Sequence, residues 1–188
     1  AAGTGGFVIN GASADDQSGI SVSGAGDVNG DGLDDLIVGA WRDNSDVGEA
    51  YNRPWNTGAA YVVFGKTGNT TAVELSDVEA GNGGFVITGD ALNEVPGRSV
   101  STAGDVNGDG LDDVIVGAPS GHEKSPDSAT YVVFGKTDGS KVDLGDIQAD
   151  SAGFRILLGA GNDASIDAVS NAGDVNGDGY ADVLITEW

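Results

Sequence analysis

Three short stretches of the sequence place oxygen-bearing side chains at a spacing that suits a metal ion. The octapeptide AGDVNGDG occurs at residues 25–32, 103–110 and 172–179. Counted from its first aspartate, each stretch has an acid or amide at positions 1, 3, 5 and 9, and position 7 offers a main-chain carbonyl. We name these loops 1, 2 and 3 (residues 27–35, 105–113 and 174–182). Their predicted metal ligands are Asp27, Asn29, Asp31, Leu33 and Asp35; Asp105, Asn107, Asp109, Leu111 and Asp113; and Asp174, Asn176, Asp178, Tyr180 and Asp182.

The predicted ion is calcium, which takes about six to eight oxygen ligands from carboxylates and carbonyls in a tight loop. Magnesium fits less well because it demands a stricter octahedron and retains water. An EF-hand is excluded, since its position 12 is a bidentate Glu, whereas position 12 is Val38, Val116 and Ile185 here. The alternative is a polar turn that binds no metal. The same oxygen spacing in all three copies favours three structural calcium sites, which would offset the glycine entropy and the carboxylate repulsion.

Position 8 of the loops provides an internal control. It is Asp34 in loop 1, Asp112 in loop 2 and Ala181 in loop 3. An acid is therefore dispensable there, while positions 1, 3, 5 and 9 keep their oxygens. This indicates that position 8 points away from the ion.

Each loop lies between two apolar segments that recur with it. The recurring runs are a small-residue run (SVSGAG, SVSTAG), a continuous apolar run (DLIVGA, DVIVGA), an aromatic and β-branched run (YVVFG), and GFVING, GFVITG or GFRILLG. Four short strands per repeat predict an all-β chain of four-stranded antiparallel β-propeller blades, with the small-residue strand innermost. A β-solenoid or a sandwich of duplicated hairpins is the alternative. We predict one partial propeller over residues 1–188, with units at about 6–83, 84–152 and 153–188.

The composition excludes several classes of function. The chain has 30 acidic and 8 basic residues and a net charge of −22, so nucleic-acid binding is not expected, because phosphate contacts need Lys and Arg. It has no Cys, and no apolar run approaches the roughly 18–20 residues of a membrane span. It also has no Met, so we expect a processed segment or part of a longer protein.

The run AGDVNGDGLDDLIVGA followed by YVVFG resembles the FG-GAP repeat of the integrin α-subunit β-propeller and its bacterial relatives. The resemblance covers nearly the whole chain. It implies a propeller that is usually seven-bladed, with structural Ca²⁺ held between the first and second strands of a blade. It also implies protein or glycan partners that bind loops on a propeller face, and an extracellular or cell-surface location.

The sequence supplies about two and a half blades, since the third unit lacks its third and fourth strands and a fourth-type strand, GFVING, stands alone at the start. Propellers typically have about four to eight blades. We therefore expect further blades or self-association, and one hypothesis is that the first strand of one copy completes the half blade of another.

The predicted function is a non-catalytic, calcium-stabilised adhesion or surface-scaffold module. One alternative is a carbohydrate-binding module in which Trp41, Tyr51 and Trp55 stack on sugars, although packing of that loop on its blade is favoured for these residues. Another is the non-catalytic propeller part of a larger secreted enzyme. His122 is the single histidine, and no catalytic constellation can be drawn around it.

Overall fold

The computed structural model describes residues 6–42, 58–68, 71–89, 95–119, 128–147, 149, 151–157 and 166–187. These residues form strands with one short helix, which confirms the prediction of an all-β chain. The helix is α1 (Leu75–Glu79). The strands are β1 (Ile9–Asn10), β2 (Ser21–Gly26), β3 (Asp35–Ala40), β4 (Ala59–Val63), β5 (Val73–Glu74), β6 (Gly84–Thr88), β7 (Ser99–Gly104), β8 (Asp113–Ala118), β9 (Ala129–Val133), β10 (Val142–Asp143), β11 (Gly153–Leu157), β12 (Ile166–Gly173) and β13 (Asp182–Glu187).

The strands are arranged as two complete antiparallel blades and a hairpin. Blade 1 has the order β2-β3-β4-β6, blade 2 has the order β7-β8-β9-β11, and hairpin 3 is β12-β13. The register repeats between blades: Leu36 is opposite Val63 in blade 1, as Val114 is opposite Val133 in blade 2. Strands β4, β8 and β9 are buried along their whole length, because apolar side chains on both faces of a central strand are covered by neighbouring layers.

The small-residue strands β2, β7 and β12 lie side by side and connect the consecutive sheets. The hydroxyl of Ser21 accepts a hydrogen bond from the Val100 amide at 3.1 Å, and that of Ser99 accepts one from the Val169 amide at 3.0 Å. Small side chains permit this close approach of inner strands. The arrangement agrees with part of a β-propeller whose first strands are innermost.

Apolar layers between the sheets form the core. The layer between blades 1 and 2 contains Val28, Ile37 and Phe85 from one side and Val116 and Tyr131 from the other. The layer between blade 2 and hairpin 3 is smaller and includes Ala103, Ile115, Val132 and Val169. A third cluster covers the opposite face of blade 1, where Leu75 and Val78 of α1 pack on Tyr61.

The sequence pattern does not predict α1, β5 or β10. Strand β10 pairs in parallel with β6 at the outer edge of blade 1, with Val142 opposite Ile87. Strand β5 pairs with β1 in the same way, with Val73 opposite Ile9. Thus β1 lies where the fourth strand of a preceding blade would lie, as its sequence predicts. Elements of two to five residues are too short to produce a readable hydrophobic period.

In the described part of the chain, no helix has the length and hydropathy needed to cross a bilayer.

Candidate metal centre

Each predicted loop joins an inner strand to the second strand of its sheet, and its first aspartate organises it. The Asp27 carboxylate accepts hydrogen bonds from the amides of Gly30, Asp31 and Gly32 at 2.8, 3.0 and 2.9 Å. Asp105 accepts the equivalent bonds in loop 2 at 2.7, 3.1 and 3.0 Å. Asp174 does so in loop 3 at 2.7, 3.1 and 3.0 Å. All three loops therefore have the same backbone course.

Positions 3 and 5 close further turns within the loop. Asn29 Oδ1 accepts from the Asp31 amide at 2.8 Å, and Asp31 Oδ1 accepts from the Leu33 amide at 2.9 Å. The Asn29 side-chain amide also donates to Asp31 Oδ2 at 3.1 Å. Loop 2 repeats all three bonds. These are the side chain-to-backbone turns that Asn and Asp favour.

Glycine at position 6 permits the sharp turn that follows. Its φ angle is +85° at Gly32, +89° at Gly110 and +94° at Gly179. An L-residue with a Cβ is strained in this left-handed region, whereas glycine adopts it readily. The backbone amides of positions 4 to 6 can therefore turn inward to the first aspartate.

Position 9 is buried in the two complete blades and ties the loop to the third strand. Asp35 accepts from the amides of Val28 at 2.9 Å and Gly65 at 2.6 Å. Asp113 accepts from the amides of Val106 and Gly135, each at 2.9 Å. Gly65 and Gly135 follow the phenylalanine of each YVVFG run, so these bonds join the two motifs that recur in every complete unit.

Burial also changes the ionisation of position 9. Loss of hydration raises the pKa of Asp35 and raises that of Asp113 to about 6, although their backbone hydrogen bonds act in the opposite direction. The negative charges at positions 5 and 1 raise both pKa values further. Position 1 of loop 3 differs, because hydrogen bonds from the amide of Gly179 and its neighbours lower the pKa of exposed Asp174. The interior of a loop thus holds like charges that a cation would relieve.

Position 7 supplies packing between neighbouring loops. A methyl group of Leu111 lies 2.9 Å from the point where a Cβ on Gly30 would stand, and the Tyr180 ring lies 3.0 Å from the corresponding point at Gly108. Leu33 of loop 1 is partly buried and lies beside Gly65 of its own blade. The role of the position 7 carbonyls as ligands stays a prediction.

As the side chains stand, no three acidic or histidine groups in the described ranges come together closely enough to hold a metal ion. The loop carboxylates bind the amides of their own backbone instead. The donor set nevertheless fits calcium, because each loop offers three carboxylates and an amide oxygen and no softer ligand. A carboxylate offers about four lone-pair sites, so an oxygen that accepts one amide bond keeps capacity for a cation. The assignment of these residues as calcium ligands stays a prediction.

The structure describes one of the three aromatic residues considered for sugar binding. The Trp41 indole N–H donates to the side-chain oxygen of Gln17, and the Arg42 guanidinium lies 5.2 Å from the centre of its ring. Trp41 thus contacts the segment that precedes β2 and its own neighbour in the chain, and the sugar-binding and packing interpretations both stay predictions. Tyr51, Trp55 and His122 lie outside the described residues.

Sequence reasoning missed two groups in and around the loops. The amides of Gly65 and Gly135 bind position 9, and Asp112 at position 8 binds the neighbouring loop. The recurrence of FGKT after each third strand was the available signal for the glycines. The residues at position 8 (Asp34, Asp112 and Ala181) gave no signal for a bond between blades.

The chain is similar to known proteins that carry the same repeat. Residues 96–134, which contain β7, loop 2, β8 and β9, match the family model described as "FG-GAP repeat". The chain is 30% identical over 169 residues to "Integrin alpha pat-2" of Caenorhabditis briggsae, which covers 86% of this chain and 12% of that protein. It is 29% identical over 165 residues to "Integrin alpha-4" of Xenopus laevis, covering 86% of this chain and 13% of that protein.

A third relative, "Integrin alpha-5" of Xenopus laevis, is 29% identical over 174 residues, which is 89% of this chain and 14% of that protein. The chain therefore spans a small part, 12–14%, of the length of these curated relatives. These matches confirm the resemblance seen in the repeated motifs.

Proposed function

We propose that this chain, an FG-GAP repeat protein similar to integrin alpha subunits over most of its length, is a calcium-stabilised β-propeller segment that acts without catalysis. Loops 1, 2 and 3 each hold one structural Ca²⁺. The ligands of each are the side chains at positions 1, 3, 5 and 9 and the carbonyl at position 7. Bound calcium would supply the positive charge that the loop carboxylates lack.

One observation carries the proposal: three separate loops hold the same set of acids and amides in the same hydrogen-bonded turn. In each, the first aspartate accepts from the amides at positions 4, 5 and 6. The backbone is therefore already turned around the acids. The buried carboxylate at position 9 of loops 1 and 2 already accepts two backbone amides, and a cation would add the partner charge that a buried ionised group needs.

The segment belongs, in our proposal, to an extracellular or cell-surface protein whose exposed loops bind a protein or glycan partner. The similarity to integrin alpha subunits supports a role in adhesion or surface scaffolding. Carbohydrate recognition by Trp41, Tyr51 and Trp55 remains the alternative hypothesis, and the contacts of Trp41 with Gln17 and Arg42 favour packing instead.

We further propose that blades additional to those described cover both ends of the arc. Val22 on the outer face of blade 1 is 65% exposed, whereas its equivalent Val100 between the blades is 4% exposed. Leu184 on the far face of hairpin 3 is 56% exposed, whereas its equivalent Ile115 is fully buried. In the alternative of strand exchange between copies, β1 could keep its pairing with β5, because the equivalent strand β6 pairs with β10 on one side and with β4 on the other.

Thermal unfolding in chelator, in Ca²⁺ and in Mg²⁺ tests the calcium function. If free Ca²⁺ is about 100-fold above the dissociation constant, each site adds roughly 2.7 kcal/mol. We expect a large rise in the melting temperature that is selective for Ca²⁺. Asp31→Ala should remove about a third of the calcium-dependent stabilisation, because it removes the position 5 ligand of one loop in three.

The matched control is Asp34→Ala in the same loop. Asp34 is also an exposed acid, but it lies outside the proposed ligand set, so its loss should leave the calcium-dependent rise unchanged. A melting temperature that does not respond to Ca²⁺, or responds equally to Mg²⁺, would refute the calcium function.

A further inference from the structure

Asp112, at position 8 of loop 2, binds the neighbouring loop. Its Oδ2 accepts a hydrogen bond from the Asp27 amide at 2.8 Å, and its own amide donates to the Asp27 carbonyl at 3.1 Å. Asp27 is the residue whose carboxylate gathers the amides of loop 1. Asp112 therefore holds both the amide and the carbonyl of Asp27 in loop 1.

Strand β2 ends in a glycine, Gly26, at the point where this carboxylate approaches loop 1. Gly26 has a φ angle of +75°, and a Cβ at that position would stand 2.1 Å from Asp112 Oδ2. Beside it, the Lys136 amide at the end of the third strand of blade 2 donates to the Val28 carbonyl at 2.9 Å. Both residues that open loop 1 are thus hydrogen-bonded to blade 2, which makes loops 1 and 2 one packed unit.

Loop 3 approaches loop 2 in the same way but without the carboxylate. The Ala181 methyl group stands 2.7 Å from the point where a Cβ on Gly104 would lie, as the Asp112 Cβ stands 2.9 Å from that point at Gly26. Ala181, at position 8 of loop 3, therefore lies against Gly104 as Asp112 lies against Gly26. Its methyl group cannot accept a hydrogen bond from the Asp105 amide. The chain therefore contains its own comparison between two neighbouring loops joined by a carboxylate hydrogen bond and two neighbouring loops that pack together without it.

We propose that Asp112 is a positioning residue that couples loops 1 and 2, so that these loops take up Ca²⁺ cooperatively while loop 3 binds it independently. This inference rests on the proposed calcium function. Ordering the Asp27 carboxylate in loop 1 orders the peptide to which Asp112 is bonded, and thereby position 8 of loop 2. Such coupling must act equally in both directions, because two linked binding free energies are reciprocal.

The test is an NMR titration of the chain with CaCl₂, in which the position 6 amides of Gly32, Gly110 and Gly179 report on the three loops separately. In the native chain we expect Gly32 and Gly110 to shift together along steep curves and Gly179 to follow a one-site curve. Asp112→Ala should move the Gly32 midpoint about five- to tenfold higher, as expected for loss of one hydrogen bond of typical strength. It should also remove the steepness.

Three further variants control the result. Asp34→Ala removes the position 8 acid of loop 1, which has no such partner among the described contacts, and should leave the Gly32 curve unchanged. Asp112→Asn keeps an oxygen acceptor and loses the charge, and should retain most of the coupling. Ala181→Asp places a carboxylate toward the Asp105 amide, and should make the Gly110 and Gly179 curves interdependent.

The outcomes separate this inference from the proposed function. If all three glycines respond to Ca²⁺ but Asp112→Ala shifts Gly32 no more than Asp34→Ala does, calcium binding stands and the coupling is refuted. If Asp112→Asn behaves like Asp112→Ala, the effect is one of charge and Asp112 does not position Asp27. If no loop glycine responds to Ca²⁺ in the native chain, both proposals fail. Should Asp112→Ala fail to fold, Ala181→Asp still decides, because independent Gly110 and Gly179 curves in that variant refute the coupling.

Discussion

Loop 2 and loop 3 have nearly the same nine residues, yet the structure gives them different surroundings. In loop 2, position 9 is buried and both of its oxygens accept backbone amides, from Val106 and Gly135. In loop 3, Asp182 is partly exposed. Its Oδ2 accepts from the Val175 amide at 2.8 Å, and its Oδ1 accepts from the Asn176 side chain at 3.3 Å. The described hairpin has no third strand to offer a glycine amide.

This difference shows which features come from the loop and which from the blade. The turn around the first aspartate forms in both loops, so the local sequence suffices for it. Burial of position 9 and its bond to a glycine occur only in the complete blades. The loop sequence therefore sets the spacing of the acids, and the packing of four strands sets how many backbone hydrogen bonds and how much burial the acid at position 9 has.

The largest expected difference is between two apolar residues at equivalent positions, one buried and one exposed. Ile115→Ala should destabilise the fold by about 2–5 kcal/mol, since it leaves a cavity between blade 2 and hairpin 3. In this chain without an additional blade, Leu184→Ala should cost less than about 1 kcal/mol, because Leu184 is 56% exposed. Denaturant unfolding of both variants measures this. An equally large loss at Leu184 would show that its face is covered in solution.

A smaller difference is expected from the first aspartates of the two loops. Asp105→Ala leaves three amides of loop 2 without their acceptor. We expect the free energy of unfolding to fall by roughly 2–3 kcal/mol, which lowers the melting temperature in Ca²⁺ by several degrees. Asp174→Ala makes the same change at an exposed aspartate, whereas Asp105 is partly buried, so the effect of Asp174→Ala should be smaller. Equal losses would mean that blade context contributes nothing to the strength of a loop.

How much of the fold and of the candidate site the sequence predicts depends on how far apart along the chain the interacting residues are. The acids of the loops and the strands beside them are predictable because each motif is local and recurs three times. The bond of Asp112 to Asp27 joins residues 85 positions apart, and a single sequence contains no signal for that contact. Helix α1 has five residues, which is less than two turns, so its period cannot be read either.

The prediction that position 8 points away from the ion illustrates the same limit. Comparison of Asp34, Asp112 and Ala181 indicates that an acid there is dispensable to its own loop, and this remains a prediction. The sequence could not show that Asp112 serves the loop of the preceding blade, because that role depends on how two blades pack.

The last expected effect concerns the protonation of the Asp113 carboxyl group. Burial raises the pKa of Asp113 to about 6, so in chelator its carboxyl carbon should titrate near pH 6 by NMR. The folded state then holds this proton more firmly than the unfolded chain, whose aspartates titrate near 3.8. The resulting stabilisation is complete below pH 3.8 and is lost as the pH rises through about 6.

Calcium should move this titration to lower pH, because a cation favours the ionised carboxylate. A midpoint at or below the ordinary value for aspartate in chelator would contradict the burial of position 9. A midpoint that Ca²⁺ leaves in place would contradict its assignment as a ligand.

The most direct test of the central claim is a count of bound calcium. The chain would be dialysed to equilibrium against a series of Ca²⁺ concentrations, and the metal bound per chain would then be measured by elemental analysis. We predict three Ca²⁺ per chain at saturation. Binding of no calcium above the level of an Mg²⁺ control would contradict the account.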